Sequence, residues 1–105
     1  MEKVKIPMVG RYKCVILSNG ENSVFRADRG EFHSEVAEHT RTKEPQLKDY
    51  RVCGGGRVLI TDEKVEVYGY SIDYGKMDKN LVEELLSEYS IKEGLVFINN
   101  TGEGY

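Results

Sequence analysis

The chain has 105 residues, 39% of them hydrophobic and 31% charged, and a formal net charge of −3. This length fits one domain with one compact core, and the composition is that of an ordinary soluble protein rather than a disordered one. The negative balance argues against holding nucleic acid by bulk phosphate neutralisation, though it leaves room for a local basic pocket.

The opening segment, MEKVKIPMVGRYKCVIL, is interrupted by Lys5, Pro7, Arg11 and Lys13. It offers neither the apolar core of a signal peptide nor the roughly 20 apolar residues of a membrane span, so a cytoplasmic location is expected. Tyr12 to Ser18 reads as a strand covered on both faces, with Cys14 and Ile16 on one side and Val15 and Leu17 on the other. Lys13 shares the face of Val15 and Leu17. Either its ammonium reaches water at the strand end, or it is a cation at the rim of a pocket.

Asn19-Gly20 signals a tight reversal, and Ser23 to Ala27 follows as a second strand. Asp28 is the expected N-cap of a first helix, with Glu31 completing a capping box. That helix is expected to reach Arg41, with Phe32, Val36 and Thr40 along its buried stripe and His33 and Ala37 at the border with solvent. Pro45 and the polar residues 42–49 end it. Arg57–Ile60 and Val65–Tyr70 form a hairpin across Thr61 to Lys64. MDKNLVEELLSEY is the clearest helix, with Asp78 as N-cap and Met77 and Val82 placed for a hydrophobic staple. Leu95–Ile98 reads as a last strand, and residues 99–105 as a polar tail without an element. The expected fold is therefore α+β: a single compact domain over residues 1–105, with a mixed sheet of about five or six strands and two helices.

Candidate chemistry is sparse. Cys14 and Cys53 stand alone, without a CxxC pair, and are expected to be free and mostly buried thiols. His39 lies six positions after His33, which turns them about 240° apart on a helix, so they are not expected to share a metal. His39 suits the negative end of the helix dipole, whereas a half-buried His33 suits proton transfer near neutral pH. Gly54-Gly55-Gly56 lacks the pattern of a phosphate-binding loop, and a bulge or bend in a strand is its commoner meaning. Ser71, at the end of the run Val65, Val67, Gly69, offers a hydroxyl and backbone N–H groups suited to an anion; a turn-forming serine is the plainer account. Arg57, Lys13 and either Arg26 or Arg29 would supply positive charge for a phosphoryl group.

Three motifs, GGGR at Gly54 to Arg57, VYGYSIDYG at Val67 to Gly75 and FHSEV at Phe32 to Val36, resemble the phosphohistidine phosphatase, or Janus/Ocnus, family. YKCVIL and the terminal Gly104-Tyr105 add to the likeness, which spans nearly the whole chain in the same order. The resemblance implies a metal-independent phosphatase, without cofactor, acting on phosphohistidine in proteins or peptides. It implies His33 as the catalytic histidine, acting as general base or as nucleophile. Lys13, Arg57 and Ser71 would bind phosphate, with backbone amides near Ser34 and Asp73. Arg26 fits the family's further arginine if the segment before His33 is one residue shorter here, and Arg29 is the other candidate. Asp73 departs from the small or neutral residues usual at its position, and a carboxylate there repels phosphate unless it turns outward. A monomer is expected, with no membrane or nucleic-acid partner. The rival readings are a phosphate- or phosphopeptide-binding module without turnover, and a small interaction domain whose glycines are structural only.

Register decides whether Arg57 and Ser71 share a face. A hairpin loop of even length sets Arg57 opposite Tyr68, on the other sheet face from Ser71. Joining Arg57 and Ser71 at one phosphate then requires a bulge, for which the three glycines are the obvious place.

Overall fold

The computed structural model describes residues 1–104; the terminal Tyr105, one of the residues carrying the family likeness, lies outside them. Its elements are β1 (Val4–Lys5), β2 (Gly10–Ser18), β3 (Ser23–Asp28), α1 (His33–Lys43), a 3₁₀ turn (Pro45–Leu47), β4 (Arg51–Ile60), β5 (Lys64–Gly69), α2 (Lys79–Glu93) and β6 (Val96–Thr101). The strands form one sheet in the order β1-β3-β2-β4-β5-β6. The central pairs are antiparallel, while β1 on β3 and β6 on β5 are parallel, so the sheet is mixed. This is the expected α+β architecture with six strands and two helices.

Each sheet face carries one helix because the central strands alternate apolar residues on both sides. Cys14, Ile16, Phe25, Val58, Val65 and Val67 pack with Met77, Val82 and Leu86 at α2. Val15, Leu17 and Val24 pack with Val36, Ala37, Leu47 and Tyr50 around α1. α2 follows its sequence signals: the Asp78 carboxylate accepts from the Asn80 and Leu81 N–H groups, and Gly94 ends the helix with φ of 71°. Met77 and Val82 are both buried in the same cluster, as a staple requires.

Four expectations are corrected. α1 starts at His33 rather than after Asp28; Phe32 is its N-cap, and the Glu35 carboxylate accepts from the Phe32 N–H at 3.0 Å. Asp28 instead ends β3 opposite Lys13 and pairs with His39 at 2.8 Å. The buried stripe is accordingly His33, Val36, Ala37 and Thr40, with Phe32 55% exposed. Third, Cys53 is exposed; both thiols are free, and only Cys14 is buried.

The fourth concerns the chain ends. Val4–Lys5 forms the edge strand β1, which two residues could not announce. At the other end Asn99, Asn100 and Thr101 continue β6 where a structureless tail was expected. Their polarity fits an edge strand: Asn99 donates to Glu83 and to the Lys79 carbonyl, and Asn100 donates to Glu66.

Candidate functional site

His33 is the first residue of α1, and its ring lies against the backbone of β4. Its Nε2 is 2.9 Å from the Gly56 carbonyl oxygen. A carbonyl only accepts, so Nε2 carries the hydrogen, and in the neutral ring Nδ1 holds the lone pair. Burial pushes the pKa of His33 below its ordinary value of 6.5; the bond to Gly56 opposes this, Lys13 and Arg57 reinforce it, and Asp73 opposes it weakly. The positive end of the helix dipole also disfavours an imidazolium at a first helical residue. The imidazole is thus neutral at physiological pH, with one nitrogen tethered and the other unprotonated.

The glycines explain how the ring reaches the strand. A Cβ built on Gly55 would lie 2.7 Å from His33 Cδ2 and 2.9 Å from Ser71 Cβ. A Cβ on Gly56 would meet the Tyr68 carbonyl at 2.8 Å, and one on Gly54 the Lys76 carbonyl at 2.7 Å. The triple glycine clears space for His33 and for residues 71–77 to lie on β4.

It also holds the bulge. Val15 pairs with Gly55 but Leu17 pairs with Val52, so β4 carries one extra residue at Cys53-Gly54. This bulge lies beyond Gly55, on the far side from Arg57, and has no part in bringing Arg57 and Ser71 together. Arg57 pairs with both Lys13 and Tyr68, as the even loop demands, and thereby faces the α1 side already. Ser71 is what moves. Gly69, with φ of 70°, ends β5 and turns the chain, so that Ser71 packs beside His33 on Gly55 instead of continuing the face of Val65 and Val67. The turn is clamped: Gly69 N–H donates to the Glu103 carbonyl at 2.7 Å, and Gly102 N–H donates to the Gly69 carbonyl at 3.0 Å.

Ser71 is 2% exposed, and its Oγ accepts from the Tyr74 N–H at 3.1 Å, leaving its own O–H as a donor. Ser71 and Gly75 close the loop by mutual backbone hydrogen bonds, and Gly75 also accepts from Gly55 N–H. Among the described residues the Ile72 and Asp73 N–H groups have no acceptor. The same holds for the His33 and Ser34 N–H groups at the open end of α1. Lys13 and Arg57, half-buried neighbours across the β2–β4 ladder, supply the nearby positive charge.

Arg26 is not brought to this cluster. It is 3% exposed and bonded through Nε and Nη2 to the Glu44 carboxylate, with further bonds to the carbonyls of Glu2, Lys3 and Phe25. It ties β1 and the end of α1 to the sheet. Arg29 instead lines a cleft of about 310 Å³ together with Arg11, Tyr12, Lys13, Gly30 and Arg57. The face alternation of β3 could have flagged Arg26 as buried, but its partner Glu44 lies 18 residues away in sequence. Asp73 is exposed, yet close enough for its charge to be felt at His33. Cys14, buried at the centre of β2, has its thiol pushed far up by burial and supplies no thiolate. Among the described residues no three His, Cys, Asp or Glu side chains cluster to hold a metal, and no helix is long and apolar enough to cross a membrane.

The fold and the site together define a small α+β domain with one neutral, tethered histidine at a helix N-terminus, flanked by lysine, arginine, serine and unengaged backbone amides. The family model for Janus/Ocnus proteins matches residues 1–93, and the chain belongs to the Janus/Ocnus family. No curated protein matches the chain.

Proposed function

We propose that this protein is a metal-independent phosphohistidine phosphatase. The observation that carries the reading is the tether of His33 Nε2 to the Gly56 carbonyl, which leaves Nδ1 as a base beside Lys13, Arg57 and Ser71. A P–N phosphoramidate bond is already reactive, so the site has only to position a water and neutralise the phosphoryl oxygens. Lys13, Arg57, the Ser71 hydroxyl and the amides of Ser34 and Asp73 are the donors for those oxygens. Arg29, which lines a cleft with Lys13 and Arg57, takes the place of Arg26 as the further arginine.

In the general-base course, Nδ1 takes a proton from water while the water oxygen bonds to phosphorus. The P–N bond breaks, and the leaving imidazole of the substrate keeps the electron pair and is protonated. In the nucleophilic course, Nδ1 itself bonds to phosphorus as the substrate's P–N bond breaks and its imidazole leaves with the electron pair, and water later hydrolyses the phosphoenzyme, releasing phosphate and restoring His33. Trapping a phosphoryl group on His33 during turnover selects the second course.

The test is hydrolysis of a phosphohistidine peptide with chelator present, by the wild type and by His33→Ala. We expect kcat/KM to fall by about 10²- to 10⁴-fold in the variant. Equal rates would end the proposal, and tight binding without turnover by the wild type would make the protein a phosphopeptide-binding module.

A further inference from the structure

The cleft lined by Lys13 and Arg57 also carries Arg11 and Arg29. Arg11 lies two residues from Lys13 on β2, so both side chains leave the same sheet face about 6.7 Å apart along the strand. That stretch of the face is not covered by α1, which packs over β2 and β3 nearer Val15 and Leu17. The Arg11 guanidinium donates to the Tyr68 hydroxyl and lies 5.8 Å from the centre of its ring. Arg29 lies 5.6 Å over the ring of Tyr12. Among the described residues neither arginine is in an ion pair. The acids in register, Asp28 beside Lys13 and Glu66 two strands across from Arg11, are engaged by His39 and Lys43 and by Lys64 and Asn100 respectively. Aromatic contacts of this kind hold a guanidinium in place and leave its charge uncompensated. In a chain of net charge −3, such a concentration of cations on one rim points to an anionic partner.

We propose that this rim selects polypeptide substrates carrying an acidic side chain two residues from the phosphohistidine, and that Arg11 is the residue that reads it. The proposal rests on the phosphatase reading of His33. In an extended peptide, side chains two apart point the same way at a spacing of about 6.7 Å, which matches the step from Lys13 to Arg11. With the phosphoryl group at Lys13 and Arg57, a carboxylate two residues along meets Arg11. Arg29 adds to the attraction from the other wall of the cleft.

The experiment compares phosphohistidine peptides with Glu or Lys two residues to either side of the phosphohistidine. Hydrolysis is measured for the wild type, Arg11→Gln and Arg11→Glu, at low and at physiological salt. The wild type should favour the Glu peptide about five- to tenfold in kcat/KM, and less at higher salt. Arg11→Gln should abolish that preference while hydrolysing a small phosphoramidate as fast as wild type, and Arg11→Glu should invert it. Equal rates on both peptides by the wild type, or a preference that survives Arg11→Gln, would overturn the proposal. Affinities for the same peptides carrying a non-hydrolysable phosphonate are measured in parallel. If the wild type hydrolyses nothing, the phosphatase reading fails, and the Glu-over-Lys ratio of those affinities still decides the role of Arg11.

Discussion

His33 shows how one side chain acquires a role from its immediate surroundings. Its ring is buried against β4, tethered at Nε2, and placed where a helix dipole and two cations oppose protonation. In the hydrolysis proposed above the neutral form of His33 is the active one, and with its pKa below 6.5 the acid limb of kcat/KM against pH should fall below 6.5. Asp73 is the one charge favouring the imidazolium. Asp73→Asn should therefore move the limb to lower pH and tighten phosphate binding, because a repelling carboxylate has gone. A limb that stays put or rises, measured with a phosphohistidine peptide, would contradict this account. Stability follows the same sign. The unfolded chain takes up its proton near 6.5 and the folded one only below that, so this contribution is intact above 6.5 and declines as pH falls through the folded value.

Single elements set which groups can meet. β5 carries Val65, Val67 and Gly69 on the α2 side, and a straight continuation would bury Ser71 there, away from Lys13 and Arg57. The left-handed turn at Gly69 redirects it, and the C-terminal residues that close on Gly69 from β6 hold the turn. Alanine pays roughly 1–2 kcal/mol for that conformation and asparagine less. Gly69→Ala should lower stability by about that amount in urea denaturation and also weaken phosphate binding, with Gly69→Asn closer to wild type. Unchanged phosphate affinity in Gly69→Ala would mean that the turn does not place Ser71.

Across the whole molecule, Arg26 belongs to a buried ion pair with Glu44 and not to the cleft that Arg29 lines. Arg26 and Glu44 form a buried ion pair that joins β3 to the end of α1, with Lys5 of β1 at 3.2 Å from the same carboxylate. The hydrogen bond from Arg26, more than any other influence, holds the Glu44 carboxyl below its usual range. Glu44 therefore adds stability above its unfolded pKa, and that stability is lost as pH falls through the folded value. Glu44→Ala leaves the buried Arg26 guanidinium without its carboxylate, and Arg26→Ala leaves Glu44 only the half-exposed Lys5; each should cost about 3 kcal/mol. Thermal unfolding should move well down for both, while KM for a phosphohistidine peptide stays near wild type. A raised KM in Arg26→Ala with unchanged unfolding would return Arg26 to the binding site.

Read alone, the residues already determined the fold class, the second helix with its Asp78 cap, and the family; they set the pairing of Arg57 with Tyr68 only on the condition of an even hairpin loop, which the structure supplies. These rest on local chemistry: period, caps and a loop of even length act over a few residues and leave their mark in order. What the sequence did not settle depends on groups distant along the chain. The start of α1 hinged on whether Asp28 would cap a helix or end a strand beside His39 and Lys43. The choice between Arg26 and Arg29 hinged on Glu44, and the side on which Ser71 falls hinged on one turn braced by the C-terminal strand. The three glycines were legible as a bend, but that they make room for His33 emerges only once helix, strand and loop converge on the same few ångströms of β4.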